Sequence, residues 1–330
     1  MLIAVLFTSL LAAACGPAEA PSTTSPSGAA YPNPDLLVDV AWLESNLSAP
    51  DLRIVDMRPS DAYREAHVPG AVNVTVGEIS STINDIPLEF DQGEMQATLS
   101  RIGLTPETTV VIYDNLGMMT AARFFWSLEL AGHTNVRVLN GGWNAWVAGG
   151  METTDQIPQV EAGAYPIQLD ESKLVDAEGV LARLDEENVV IVDARSPQEY
   201  TGEVKLAERG GHIPGAVNFV WLDALTGGDT TFTINSDWRE QLQDEDVELF
   251  LPPAEIRELL QAQGILPGTQ IITYCQTLWR ASHVYFMLRL MGFEDVSGYD
   301  GSWAEWGNRA DLPIVQGSDP GSLEEAEGGG

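Results

Sequence analysis

The sequence predicts an α/β protein built twice: two tandem domains, each a mainly parallel sheet flanked by helices. The first observation behind this is an internal repeat. Ile54-Val-Asp-Met-Arg58 returns as Ile191-Val-Asp-Ala-Arg195, and His67-Val-Pro-Gly-Ala-Val-Asn73 returns as His212-Ile-Pro-Gly-Ala-Val-Asn218. Val110-Val-Ile-Tyr-Asp114 returns as Ile271-Ile-Thr-Tyr-Cys275, and Asn140-Gly-Gly-Trp-Asn-Ala-Trp146 as Asp300-Gly-Ser-Trp-Ala-Glu-Trp306. Four blocks in one order mark a duplicated domain. The second is periodicity: β-rich runs at 53–56, 110–113 and 136–139 alternate with amphipathic helical patterns such as 121–130. Strand then helix, repeated, implies parallel strands covered on both faces, with ligands beyond the carboxyl ends of the strands. The third is length, since 330 residues allow two cores of ordinary size.

In chain order, residues 1–14 are apolar and uncharged and end at Cys15. The run is too short to span a bilayer and reads as a secretory signal, with no Lys or Arg before it. Cys15 after Ala13-Ala14, followed by Gly16, resembles a bacterial lipoprotein signal with a lipidated cysteine. Residues 15–34 then read as a Pro/Ser/Thr-rich tether. Residues 35–152 form the first domain, and 153–175 the linker and the start of the second. Residues 176–316 form the second domain, and 317–330 a Gly/Glu-rich acidic tail expected to be disordered. Export, as a membrane-anchored lipoprotein or a periplasmic protein, is the expected destination.

The net charge of −33, with two lysines, argues against nucleic acid or an anionic membrane held by a basic surface. Membrane attachment is expected only through a lipid on Cys15. An anionic substrate approaches against the overall field, so its site has to be made locally from Arg and backbone N–H groups. No His, Cys, Asp or Glu cluster has metal-ligand spacing.

With Cys15 lipidated or removed, Cys275 has no partner for a disulfide. It stands where the run 270–274 meets a helical pattern carrying Val284, Met287, Leu288 and Met291. A thiol at a helix N-terminus faces unpaired N–H groups and the positive end of the dipole, which favour thiolate. The repeat places Asp114 at the matching position, so the scaffold does not require cysteine there. A nucleophile is the leading reading.

These blocks resemble the tandem rhodanese-like sulfurtransferases over nearly all of residues 36–315. In that family the second domain carries the catalytic cysteine and the first is usually inactive, which fits Cys275 and Asp114. The resemblance implies a thiosulfate or 3-mercaptopyruvate sulfurtransferase, with one wall of the site supplied by the inactive domain. The loop Cys275-Gln276-Thr277-Leu278-Trp279-Arg280 is expected to wrap its N–H groups around one sulfur, with Arg280 meeting the oxygens of a small anion. Trp279 is expected as a pocket wall or a lid. Sulfur passes through a cysteine persulfide, which needs no metal or organic cofactor.

Two positions depart from the family pattern. Leu278 stands where many members have Gly, so either it takes the loop conformation under some strain or the loop differs slightly. Glu199 stands where classical members carry a second anion-binding Arg. Arg195 has two readings, an anion contact or a structural pair with Asp193.

A phosphatase would have five residues between Cys and Arg, whereas Cys275 and Arg280 are separated by four. His67 and His212 precede Pro-Gly turns in both halves and read as structural, as do Trp143, Trp146, Trp303 and Trp306. His283 occurs only in the second half and is either a helix residue or catalytic. The expected partners are a small anionic sulfur donor, thiosulfate by preference, and cyanide or a thiol as acceptor, acting on a monomer. A sulfur carrier or binding module is the non-enzymatic alternative. The acidic segment 229–252 is expected to shape acceptor access.

Overall fold

The computed structural model describes residues 30–83, 86–228 and 247–328. The expected duplication is the observed architecture. The first half holds β1 (Leu37–Val38), β2 (Leu52–Asp56), β3 (Val72–Asn73), β4 (Ser80–Ile83), β5 (Ile86–Phe90), β6 (Thr109–Tyr113) and β7 (Val136–Leu139). The second holds β8 (Leu174–Val175), β9 (Val189–Asp193), β10 (Val217–Asn218), β11 (Gln270–Tyr274) and β12 (Val296–Tyr299). Two five-stranded parallel sheets result, ordered β1-β7-β6-β2-β3 and β8-β12-β11-β9-β10. Position for position they are the same sheet. β4 and β5 pair separately as an antiparallel hairpin.

The strands read as unbroken Val/Ile runs because both sheet faces are covered. β6 (Thr-Val-Val-Ile-Tyr) is buried from Val110 onwards, and β11 from Ile271 onwards. The helix Met119–Leu130 follows β6, and the helix Trp279–Leu290 follows β11. Every residue of the first of these helices is buried. It is buried all round because one face packs on its own sheet and the other on the second half.

Phe125 meets Phe286 edge-on with centroids 4.8 Å apart, an aromatic geometry worth about 1 kcal/mol beyond its buried area. Tyr285 donates to Glu129 at 2.6 Å, and Arg289 pairs with the same carboxylate at 3.2 Å. One continuous apolar core therefore contains residues of both halves. The halves are fused, not beaded on a string.

The termini differ from expectation. The tether was expected to run to Pro34, yet Tyr31 donates to the Leu251 carbonyl at 2.7 Å and Asn33 to the Leu290 carbonyl at 3.1 Å. The chain is thus fixed to the second half from residue 31. The tail was expected to be disordered from residue 317, yet the Pro320 carbonyl accepts from Gly215 N at 2.8 Å, and Leu323–Gly328 is helical. Backbone pairing with the His212 turn, invisible in composition, orders it. The apolar run 1–14, expected as a signal, and Cys15 lie outside the described residues.

Candidate active site

Both halves build their first corner identically. Arg195 forks onto Asp193, with Nη2 2.6 Å from Oδ2, and donates to the Gly211 carbonyl at 2.7 Å. Its guanidinium lies over Trp303, 4.4 Å from the ring centroid, and Tyr274 donates to Asp193 at 2.6 Å. In the first half Arg58, Asp56, Trp143 and Tyr113 repeat this arrangement, with 2.7, 3.8 and 2.6 Å for the corresponding contacts. Arg195 is therefore committed to Asp193, and the anion-contact reading gives way to the structural pair. His67 and His212 stack on Tyr63 and Tyr200 and bind backbone carbonyls, in keeping with structural roles. Trp146 and Trp306 donate to the Glu152 and Pro313 carbonyls from buried positions.

The second corner is where the halves part. In the first half, Asp114 is buried and its carboxylate takes four donors: Leu116 N and Met118 N at 2.9 Å, Thr120 Oγ1 at 2.7 Å and Ala121 N at 2.8 Å. The corner is an anion nest occupied by the chain's own carboxylate. In the second half Cys275 takes that place, 1% exposed, with Thr277 N donating to Sγ at 3.4 Å. Met118 and Leu278 are the matching N-caps, both left-handed, at φ 65° and 62°. Counted to these caps, the first corner holds Asn115, Leu116 and Gly117, and the second only Gln276 and Thr277. The corner is thus one residue longer around the carboxylate, whose two oxygens need more room than one sulfur. Leu278 does adopt the conformation that Gly would adopt without strain.

Ser302 was not singled out from the sequence, and the structure places it under the loop. Its Oγ accepts from Leu278 N at 3.0 Å and Cys275 N at 3.4 Å, and donates to the Tyr299 carbonyl at 2.8 Å. Ser302 is buried at φ 50°, where the first half has Gly142 at φ 54°. Serine in place of the Gly142 of the other repeat, present only beside the thiol, was the available signal.

Arg280 does not face an open anion site. Its Nη1 and Nη2 lie 2.7 and 2.9 Å from the two oxygens of Glu199, and both residues are buried. Burial pushes the Glu199 carboxyl up, but the charge and hydrogen bonds of Arg280 outweigh it and hold the group at about 2. The expectation that Arg280 meets donor oxygens is corrected to this extent: the fork that would grip them already grips Glu199.

Gln276 and Thr277 are half-buried, and Gln276 Nε2 donates to the Leu206 carbonyl at 3.2 Å. Trp279 packs half-buried against the main core. His283 is fully buried between Phe250 and Trp221, and neither ring nitrogen has a hydrogen-bond partner among the described residues. Burial pushes its pKa down to about 3, so the ring is neutral at physiological pH. From the first half, Arg123 pairs with Asp300 at 2.8 Å, and Phe90 N donates to the same carboxylate at 2.7 Å. The first half thus contacts the second two residues before Ser302. Residues 229–246 lie outside the described residues. Just beyond, Phe250 N donates to Asn140 Oδ1 at 3.1 Å, beside the corner of the first half.

A duplicated parallel α/β scaffold, holding its lone described thiol at a strand-to-helix corner where Thr277 N meets Sγ, defines a class of protein that works by covalent transfer through cysteine. The chain belongs to the rhodanese-like family, whose domain model matches residues 39–149 and again 176–309. It is 35% identical over 280 residues to a thiosulfate sulfurtransferase of Azotobacter vinelandii, covering 84% of this chain and 96% of that one. It is 32% identical over 305 residues to the sulfur carrier protein TtuD of Thermus thermophilus, covering 88% and 99%. Among solved structures, it is similar to an anaerobic ergothioneine biosynthesis enzyme of Chlorobium limicola in complex with trimethyl histidine. That match has a TM-score of 0.73 and 28% identity, over 87% of this chain and 71% of that one.

Proposed function

We infer that the chain is a sulfurtransferase that moves a sulfane sulfur from thiosulfate to cyanide or a thiol through a persulfide on Cys275. The observation that carries this is the paired corner: the same strand-to-helix turn holds an anionic carboxylate in one half and the thiol in the other. A corner that accepts an anion at Asp114 suits the charge of a thiolate and then of a persulfide. In the first step the Cys275 sulfur attacks the outer sulfur of thiosulfate. The S–S bond of the donor breaks, and sulfite leaves with the electron pair. In the second step the acceptor, cyanide for instance, attacks the terminal persulfide sulfur, thiocyanate departs, and the thiolate returns. The catalytic role belongs to Cys275, with Thr277, Leu278 and Ser302 shaping the corner.

Incubation with thiosulfate is expected to raise the intact mass by about 32 Da, one sulfur atom per chain, and cyanide to remove it. Prior alkylation of Cys275 should block the gain. No gain with either thiosulfate or 3-mercaptopyruvate sinks the reading. Loading without turnover to any acceptor instead supports the sulfur-carrier reading, which the similarity to TtuD keeps in view.

The apolar run 1–14 supports export with a lipid on Cys15, and we propose separately that the folded part acts as a monomer. The wild type is expected to partition into the detergent phase when expressed in a bacterial host, and Cys15→Ala into the aqueous phase. Equal partitioning of the two removes the anchor.

A further inference from the structure

We propose that Glu199 sets the charge selectivity of the Cys275 corner. By gripping and neutralising Arg280, it leaves the donor to be read by N–H groups and hydroxyl dipoles, not by a guanidinium. Such a corner gives a doubly charged sulfane donor little advantage over a singly charged one. The donor part of this inference rests on the sulfurtransferase reading; the charge part does not.

The geometry is that of a built device. Arg280 occupies the first turn of the helix that the Cys275 corner opens, five residues after the thiol. Glu199 meets it with both oxygens and is itself held from behind by Ser196, whose N and Oγ donate to Oε2 at 3.2 and 3.0 Å. The Glu199 N–H returns a bond to Ser196 Oγ at 3.3 Å, closing a capping box. The carboxylate is therefore clamped between a helix start and the guanidinium. It has no freedom to swing toward another partner.

The internal repeat separates this pair from the needs of the fold. Aligned on Tyr63 and Tyr200, Glu199 corresponds to Ala62; aligned on the left-handed caps Met118 and Leu278, Arg280 corresponds to Thr120. The half without a thiol has neither member, though it keeps the Asp-Arg pair, the Tyr-His stack and both turns. A buried ion pair contributes little net stability over apolar side chains of similar size, so folding alone is a weak reason for it. It accompanies the thiol.

Two charged residues beside the corner are paired elsewhere. Arg195 is paired with Asp193, which also accepts from Tyr274, and Asp300 is paired with Arg123. Removing the charge of Glu199 thus uncovers one positive charge, that of Arg280, in a low-dielectric setting where it acts strongly. On a chain of net charge −33 this would be a local reversal of the field met by an approaching anion.

Two ratios test this in wild type, Glu199→Gln, Glu199→Asp and Arg280→Gln. The first is the rate of Cys275 alkylation by anionic iodoacetate over that by neutral iodoacetamide, at one neutral pH. The second is kcat/KM for thiosulfate over that for methanethiosulfonate, which offers the same sulfane sulfur with one charge fewer. Glu199→Gln is expected to raise both ratios about fivefold or more, Arg280→Gln to lower them, and Glu199→Asp to hold them near wild type. Unchanged ratios in variants that melt cooperatively overturn the proposal. Equal changes with both reagents also overturn it, since they mark a merely structural role. If neither donor turns over while the alkylation ratio responds, the charge device stands and the sulfurtransferase reading falls.

Discussion

Cys275→Ser is expected to fold as the wild type does and to lose sulfur transfer by about three orders of magnitude or more. The fold should survive because Sγ carries little of the corner's hydrogen bonding. Its backbone contact is the 3.4 Å bond from Thr277 N, while Leu278 N and Cys275 N are received by Ser302. A serine hydroxyl is smaller than the thiol and can take the Thr277 bond. The first half makes the same kind of turn with no cysteine at all. The chemistry should not survive, because a neutral hydroxyl at physiological pH is a poor nucleophile toward sulfur and cannot form a persulfide. Thiocyanate production from thiosulfate and cyanide measures the loss, and thermal melting checks the fold. Turnover within about tenfold of wild type would remove Cys275 from the mechanism.

Asp114→Ala carries the largest expected cost in stability. Its carboxylate receives three backbone N–H groups and the Thr120 hydroxyl, all within 2.9 Å, at a buried helix start. Alanine leaves those donors without an acceptor in a site that has no room for them to turn outward. Each buried donor left unsatisfied costs about 1–3 kcal/mol, and partial relaxation brings the expected total to roughly 3–5 kcal/mol. The melting temperature should fall by roughly 10 °C for domains of this size. Asp114→Asn should recover about half, since an amide oxygen can still accept two of the bonds. Denaturant unfolding of the three proteins gives the comparison. A loss below about 1 kcal/mol in Asp114→Ala would mean that the nest closes on itself or on water without the carboxylate.

The same two residues show how far the sequence reaches. Asp114 and Cys275 are each the first residue after a hydrophobic strand in matching blocks, so their equivalence can be read from the repeat. That Asp114 is itself the bound anion cannot be read so: Thr120 and Ala121 are six and seven residues away, on a helix whose starting turn decides whether they point back. The corner of the first half also proved one residue longer, a difference hidden until the left-handed caps align the two helices.

Local chemistry decided the tandem α/β halves, the strand-to-helix corner with its thiol and the Asp-Arg pairs, because alternation, β-branching and short-range spacing act along the chain. Tertiary structure alone decided which charges meet. Glu199 lies 81 residues before Arg280, and no periodicity connects them. Ser302 reaches the Cys275 loop from 27 residues further on. Arg123 crosses from one half to the other to reach Asp300. Buried polar groups must find partners wherever the packed sheets bring them, and that requirement is satisfied in space, not in sequence. The thiol was therefore legible from its strand and its repeat, whereas the electrostatics around it became legible only when the fold brought the carboxylate of Glu199 onto Arg280.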